Sequence, residues 1–311
     1  MSKLLFSEEL ALFLKIAENC DDTMLEKDVG YNLHDCLSKF CDTYMDFMYE
    51  HIAEWHNEYL KDEKANVKHI EKIWGKAFAS YECYIESHAH FSKEHQKFLK
   101  QNRKFETNKE GECLYTALWY INGRAIQVGT EILVLLKNGY ADGAYARHRT
   151  LYELSIIADF ISKYGDDVAK KYIEYTGKWY DWAKDVIQKD KVRFNDIETH
   201  TSLKQDDLEK WQNEYRISNK LVHASAQGTF SRLALKEPMK EILIGPCDHG
   251  MDLVAENALQ SLFHIGCLCM GFDKDIYSLM LISLLMEIKE KACLEFDKIE
   301  KSVFTEENKN V

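Results

Sequence analysis

LYTALWYINGRAIQVGTEILVLLKNG, residues 114–139, decides the fold class. Leu114, Leu118, Ile121, Ala125, Val128, Ile132 and Leu135 alternate steps of four and three, which lines them along one face of an α-helix. Asn138-Gly139 predicts its end, because both residues tolerate the left-handed backbone that a helix C-terminus often adopts.

The same period runs outward in both directions. Upstream, Leu33, Leu37, Phe40, Tyr44 and Phe47 lead to Trp55 and Tyr59, and a second stripe follows at Val67, Ile70, Trp74, Phe78, Tyr81 and Ile85. Together they predict a long helical hairpin in the first hundred residues. The polar stretch 100–112, KQNRKFETNKEGE, reads as a linker. It divides an N-terminal hairpin region, 1–108, from a helical bundle, 109–311.

Downstream, helices are expected over about 143–163 and 166–189. An exposed loop is expected over 189–207, and a helix from 208 through His223. Residues 227–250 hold Pro238, Pro246 and three glycines and read as irregular, with a short strand at 241–244. Two apolar helices, about 251–270 and 275–301, complete an all-α bundle. Prolines number only two, and proline is what interrupts helix interiors.

Composition narrows the class. With 46% hydrophobic and 30% charged residues the chain is globular rather than disordered. A net charge of −12 and a pI near 5.5 argue against coating nucleic acid through a broad basic field, and leave room for a local arginine pocket. The nine cysteines fall mostly at apolar helical positions, as reduced thiols of a cytoplasmic protein would. Acids interrupt the apolar run of MSKLLFSEELALFLKIAEN, so the first residues do not read as a signal peptide. The apolar stretch from Ile276 to Met286 is too short to span a bilayer, so no membrane association is expected.

Chemistry concentrates in YRISNKLVH, residues 215–223. Arg216 and His223 are seven apart and share a helix face, with Asn219 between them. A permanent cation, an amide and an imidazole on one face suit phosphodiester chemistry. The guanidinium can fork onto phosphate oxygens and stabilise growing charge. The imidazole can move a proton near neutral pH. In RNA the 2′-hydroxyl is a built-in nucleophile, so this chemistry needs neither metal nor cofactor. The ordinary structural reading is a histidine favoured by a helix C-terminus and an arginine paired with a nearby acid.

This segment resembles the HEPN superfamily of helical nucleotide-binding and RNase domains, whose signature is an arginine and a histidine separated by four to six residues. Arg216-x6-His223 fits the longest spacing, although Ile217 stands where a polar residue often follows the arginine. GYADGAYARHRTLYELSIIADFI (139–161), followed by RISNKLVHAS, also resembles a family of uncharacterised bacterial helical proteins with an R-x3-E pair. Here that pair is Arg149 and Glu153, and the resemblance covers about 113–228.

The resemblance implies an endoribonuclease, of the kind found in toxin or phage-defence systems. It also implies a homodimer with RNA as substrate and an antitoxin or other protein as partner. Arg216, Asn219 and His223 would be catalytic, and Arg147, Arg149 and Glu153 would bind substrate. The alternative is a non-catalytic helical module that binds a protein or nucleotide, in which Arg149–Glu153 is an i,i+4 pair bracing a helix.

Other groupings carry less. Arg193-x6-His200 repeats the spacing inside an acidic stretch and reads as coincidence. Glu86, His90 and Glu94 share a helical face, but no histidine has an acid three residues before it, so the Glu-x-x-His of di-iron bundles is absent. Cys267-Leu268-Cys269 lies in an apolar helix and there is no C-x-x-C, which makes a zinc ribbon unexpected. YIEYTGKWYDW (172–182) could stack bases, but its spacing favours packing.

Overall fold

The computed structural model describes residues 29–102, 111–177, 180–222, 245–273 and 275–304. Among them there is no strand, and the all-α bundle expected from the periodicity is what forms. The helices are α1 (Val29–Asn102), α2 (Glu112–Lys137), α3 (Ala141–Tyr164), α4 (Asp166–Glu174), α5 (Lys184–Ile187), α6 (Phe194–Glu198), α7 (Gln205–Val222), α8 (Met251–Met270) and α9 (Ile276–Ile299).

The expected N-terminal hairpin is corrected to a single helix. Both apolar stripes lie on α1, which runs through residues 60–66 without a turn. The reason is local: LKDEKAN contains neither proline nor glycine, so nothing there disfavours helix.

The chain divides into two compact units, Met1–Lys68 and His69–Val311. In the first, the large side chains of α1 at Tyr49 and Tyr59 are 67% and 63% exposed. In the second, α1 supplies core. Trp74, Phe78 and Tyr81 are buried and set their rings 5.8, 6.1 and 6.4 Å from that of Phe296 on α9.

α2 behaves as its stripe predicts, with Leu118, Ile121, Ala125, Val128 and Ile132 buried. It stops at Asn138, and Gly139 takes φ 81°, the left-handed conformation that lets the chain turn into α3. α8 lies against α2, α3 and α9. By length and composition it is the one described helix that could cross a membrane. Its buried Val254, Ala258, Leu262 and Ile265 account for that composition as the core of the bundle.

Two further expectations change. The helix expected over 166–189 breaks after Glu174, where Tyr175 turns extended, and resumes as a 3₁₀ turn (Asp181–Ala183) and α5. The expected loop 189–207 contains α6, whose Phe194 and Ile197 join the core together with Val192. The strand proposed at 241–244 lies outside the described residues.

Candidate functional site

The predicted site residues that the structure describes fall on α3 and α7, which pack against each other. Their contact is built from aromatic and acidic side chains. Tyr152 of α3 stacks on Tyr215 of α7, with ring centroids 4.8 Å apart at 29°. Phe194 of α6 completes the cluster, 5.3 Å from the Tyr215 ring.

Two carboxylates sit against these rings. Glu153 Oε1 accepts from the Tyr215 hydroxyl at 2.9 Å and from Arg149 Nε at 3.1 Å. The Arg149 guanidinium carbon also lies 5.6 Å from the Tyr215 ring centre, a cation–π distance. Glu198, buried at the end of α6, accepts from the Tyr152 hydroxyl and from Gln212 Nε2, the latter at 3.0 Å. Burial and the neighbouring Glu153 carboxylate push the Tyr215 hydroxyl up to about 12. Burial and the same carboxylate push Tyr180 up to about 12. Burial and Glu198 push Tyr152 higher still. At neutral pH these phenols are therefore proton donors and not bases.

Beneath this layer, His148, Tyr152, Trp211, Asn257, Gln260 and Ser261 line a small cleft among α3, α7 and α8. His148 is buried, with Nε2 3.2 Å from Ser261 Oγ and its ring stacked on Tyr145 at 5.5 Å. Burial, only partly opposed by the Asn257 backbone, lowers it to about 4, so it is neutral at pH 7. Deeper along α3, buried Asp159 accepts from Ser202 N at 2.5 Å and Ser202 Oγ at 2.8 Å. It also lies 3.2 Å from His264 Nε2. Burial would raise this carboxyl, but His264 and Ser202 outweigh it and hold the group below its usual range.

The six predicted residues do not form one cluster. Arg149 and Glu153 meet at Tyr215. Arg147 turns to α2, where it pairs with Glu131 and donates to Thr150 Oγ1 at 3.0 Å. Residues two apart on a helix point about 200° apart, so Arg147 and Arg149 cannot line one pocket. Arg216 is exposed on α7, and among the described residues its partner is Asn213 Oδ1 at 3.3 Å. Asn219 lies one turn further and is half-buried, with no donor to its Oδ1 among the described residues. His223 lies outside the described residues.

The other groupings resolve as structure. Arg193 N donates to Asp196 Oδ2 at 2.8 Å, and His200 Nδ1 lies 2.6 Å from Asp196 O, so this pair brackets α6. Glu86 and His90 are exposed, as a solvated face would be. His88 and His95 are buried instead. Within 172–182, Tyr172 and Trp182 pack edge to face at 5.1 Å.

Sequence reading missed Tyr152, Glu198, Gln212 and Trp211. Glu198 could have been found. Val192, Phe194 and Ile197 mark 189–207 as partly buried, and an acid beside them must find donors.

Residues 115–241, less than half of the chain, are similar to a family of unknown function (DUF5677). The matched span contains Arg149, Glu153, Arg216, Asn219 and His223. No curated protein and no solved structure matches the chain.

Proposed function

We propose that this protein is a metal-independent endoribonuclease of the HEPN type, acting as a homodimer in a toxin or phage-defence setting. The observation that supports this reading most directly is Arg216. It is an exposed guanidinium on α7, held only by a neutral amide among the described residues and adjacent to Tyr215, which Glu153 fixes in place. An arginine not committed to a carboxylate can bind a phosphate.

In this reading Arg216 holds the non-bridging oxygens of the scissile phosphate and stabilises the charge that builds there. The ribose 2′-hydroxyl attacks phosphorus and gives its proton to a base. The P–O5′ bond breaks and the departing 5′-oxygen takes up a proton. The products are a 2′,3′-cyclic phosphate and a 5′-hydroxyl. The neighbouring tyrosines stay protonated and do not compete for the role of base, which this reading gives to His223. Asn219 orients one of the pair, and Arg149 contributes positive charge beside Tyr215.

A second reading, a non-catalytic helical module that binds a protein partner, is favoured by one feature. The helix α9 exposes Ile276, Leu279, Met280 and Leu284 along one stripe. Apolar stripes of that kind mark association surfaces.

The test is purified protein with total RNA in excess EDTA, beside His223→Ala and Arg216→Ala variants of unchanged helicity. Cleavage by the wild type alone, leaving cyclic phosphate ends, supports the nuclease. Equal cleavage by the variants, or none by any protein, overturns it in favour of the second reading.

A further inference from the structure

The segment between Gly245 and α8 is held as a shaped loop. Gly245 and Gly250 take φ 97° and 73°, left-handed values that bracket Pro246–His249 and turn it back on itself. Two bonds fasten its peptides to the bundle. Cys247 N donates to Gly139 O at 2.9 Å, and the indole of buried Trp74 donates to Asp248 O at 2.9 Å. The loop backbone is therefore fixed by the end of α2 and by a core residue of α1.

Three consecutive side chains converge within this frame. His249 Nδ1 stands 2.5 Å from Asp248 Oδ1. Cys247 Sγ is 3.8 Å from His249 Nδ1 and 4.0 Å from Asp248 Oδ1. All three ligand-type atoms lie within 4.8 Å of one another, and all three residues are half-buried. The other carboxylate oxygen is also engaged, because His69 Nε2 of α1 lies 3.0 Å from Asp248 Oδ2.

We propose that Cys247, Asp248 and His249 bind a divalent transition-metal ion of the zinc class, with His69 orienting the Asp248 ligand. The donor set is thiolate, carboxylate and imidazole, the combination zinc accepts. In a tetrahedral site with ordinary bond lengths, ligand atoms stand roughly 3.3–3.8 Å apart. The two sulfur distances need only a slight contraction. The Asp248–His249 contact opens as the ion replaces the proton between them. A thiolate and a carboxylate cancel the two charges of the ion, so a neutral complex forms in a half-buried place. Binding releases the thiol and imidazolium protons. His69 on the remote carboxylate oxygen is the outer partner that metal-bound carboxylates usually have. Three protein ligands leave one coordination position for water or substrate.

An ordinary Asp248–His249 ion pair would need no cysteine, and that difference makes the proposal testable. The full chain is stripped with chelator, desalted, and loaded with Zn²⁺ or Co²⁺. One ion per chain is expected by elemental analysis. The cobalt form should show thiolate-to-metal charge-transfer absorption and the visible bands of a tetrahedral ion. Cys247→Ser should abolish the charge-transfer band with helicity unchanged, and His249→Gln, a second route should the first variant fold poorly, should lose the ion. His69→Ala should retain it with affinity reduced about 10- to 100-fold. Cys83→Ser, at an exposed position of α1, should change nothing. No retained ion, or a charge-transfer band that survives Cys247→Ser, overturns the proposal. Metal content is the readout, so the result is separate from the fate of the nuclease reading.

Discussion

Tyr215 on α7 donates its hydroxyl to Glu153 on α3 at 2.9 Å, and the same carboxylate oxygen accepts from Arg149 Nε at 3.1 Å. One oxygen thus ties two helices together and holds an arginine over an aromatic ring.

Removing the hydroxyl tests that tie. Tyr215→Phe keeps the stacking on Tyr152 and loses the bond, which should cost about 1–2 kcal/mol for a half-buried bond to a charged acceptor. Glu153→Ala, which removes the acceptor of both Tyr215 and Arg149, should cost at least as much, and the double variant less than the sum, because both remove the Tyr215–Glu153 bond. Urea denaturation of the four proteins measures this. Strict additivity would mean that the bond contributes nothing to stability.

The buried carboxylate of Glu198 predicts a larger effect. It accepts from Tyr152 and Gln212 and has little water to replace either donor. Tyr152→Phe should destabilise by about 1–3 kcal/mol, the cost of a buried acceptor left short of a donor. Glu198→Gln introduced into that variant should recover part of the loss, since a neutral amide is cheaper to bury than a carboxylate. A thermal melt series decides it, and no recovery would show that the charge of Glu198 is not what makes the loss costly.

These two ties also show what the sequence could and could not reveal. The stripe from Leu114 to Leu135 marks α2 because a helix buried on one face must repeat its apolar positions every three or four residues. Arg149 and Glu153 were legible as a pair because four residues is one helical turn. Their meeting with Tyr215 was not, since it depends on how α3 and α7 pack, and 62 residues separate Glu153 from Tyr215. The apolar period over 33–85 gave helix correctly but not its continuity. Periodicity reports which face is buried, whereas a hairpin needs a breaking sequence, and 60–66 has none. The loop expected over 189–207 failed because the five residues of α6 make little more than one turn, too few to establish a period, so burial of Phe194 and Ile197 had to be read from composition alone. The Cys247–Asp248–His249 cluster was invisible to spacing rules, which look for ligands separated by two to five residues.

Glycines on α2 give opposite predictions from one helix. Gly123 is exposed, and a Cβ there would meet nothing within 4 Å. Gly123→Ala should therefore raise stability by about 0.5–1 kcal/mol through helix propensity alone. Gly129 is buried, and a Cβ there would come within 2.8 Å of Leu262 Cδ1 and 2.9 Å of Ile85 Cδ1. Gly129→Val adds two further carbons where α1, α2 and α8 meet and should cost about 1–3 kcal/mol by overpacking. Melting temperatures that move the same way for both variants would contradict this packing.

Acid should unfold the bundle through its buried histidines. His88 is buried against α2, where its Nε2 lies 2.9 Å from Asn122 Oδ1 and Asn122 Nδ2 donates to Ser92 Oγ at 2.9 Å. Burial lowers His88 from 6.5 to about 4, with the Asn122 contact opposing it only in part. Burial likewise lowers His148 from 6.5 to about 4. The folded chain therefore binds fewer protons than the unfolded chain between those values. Stability from these groups is complete above about pH 6.5 and is lost as pH falls toward 4. With both histidines unprotonated in the folded state and protonated in the unfolded one, the slope approaches about 2–3 kcal/mol per pH unit. Denaturant titrations at several pH values through this window measure it. His88→Gln keeps a polar group near Asn122 but cannot titrate, so it should flatten the slope by about half. An unchanged slope would mean that His88 exchanges its proton as freely in the folded chain as in the unfolded one.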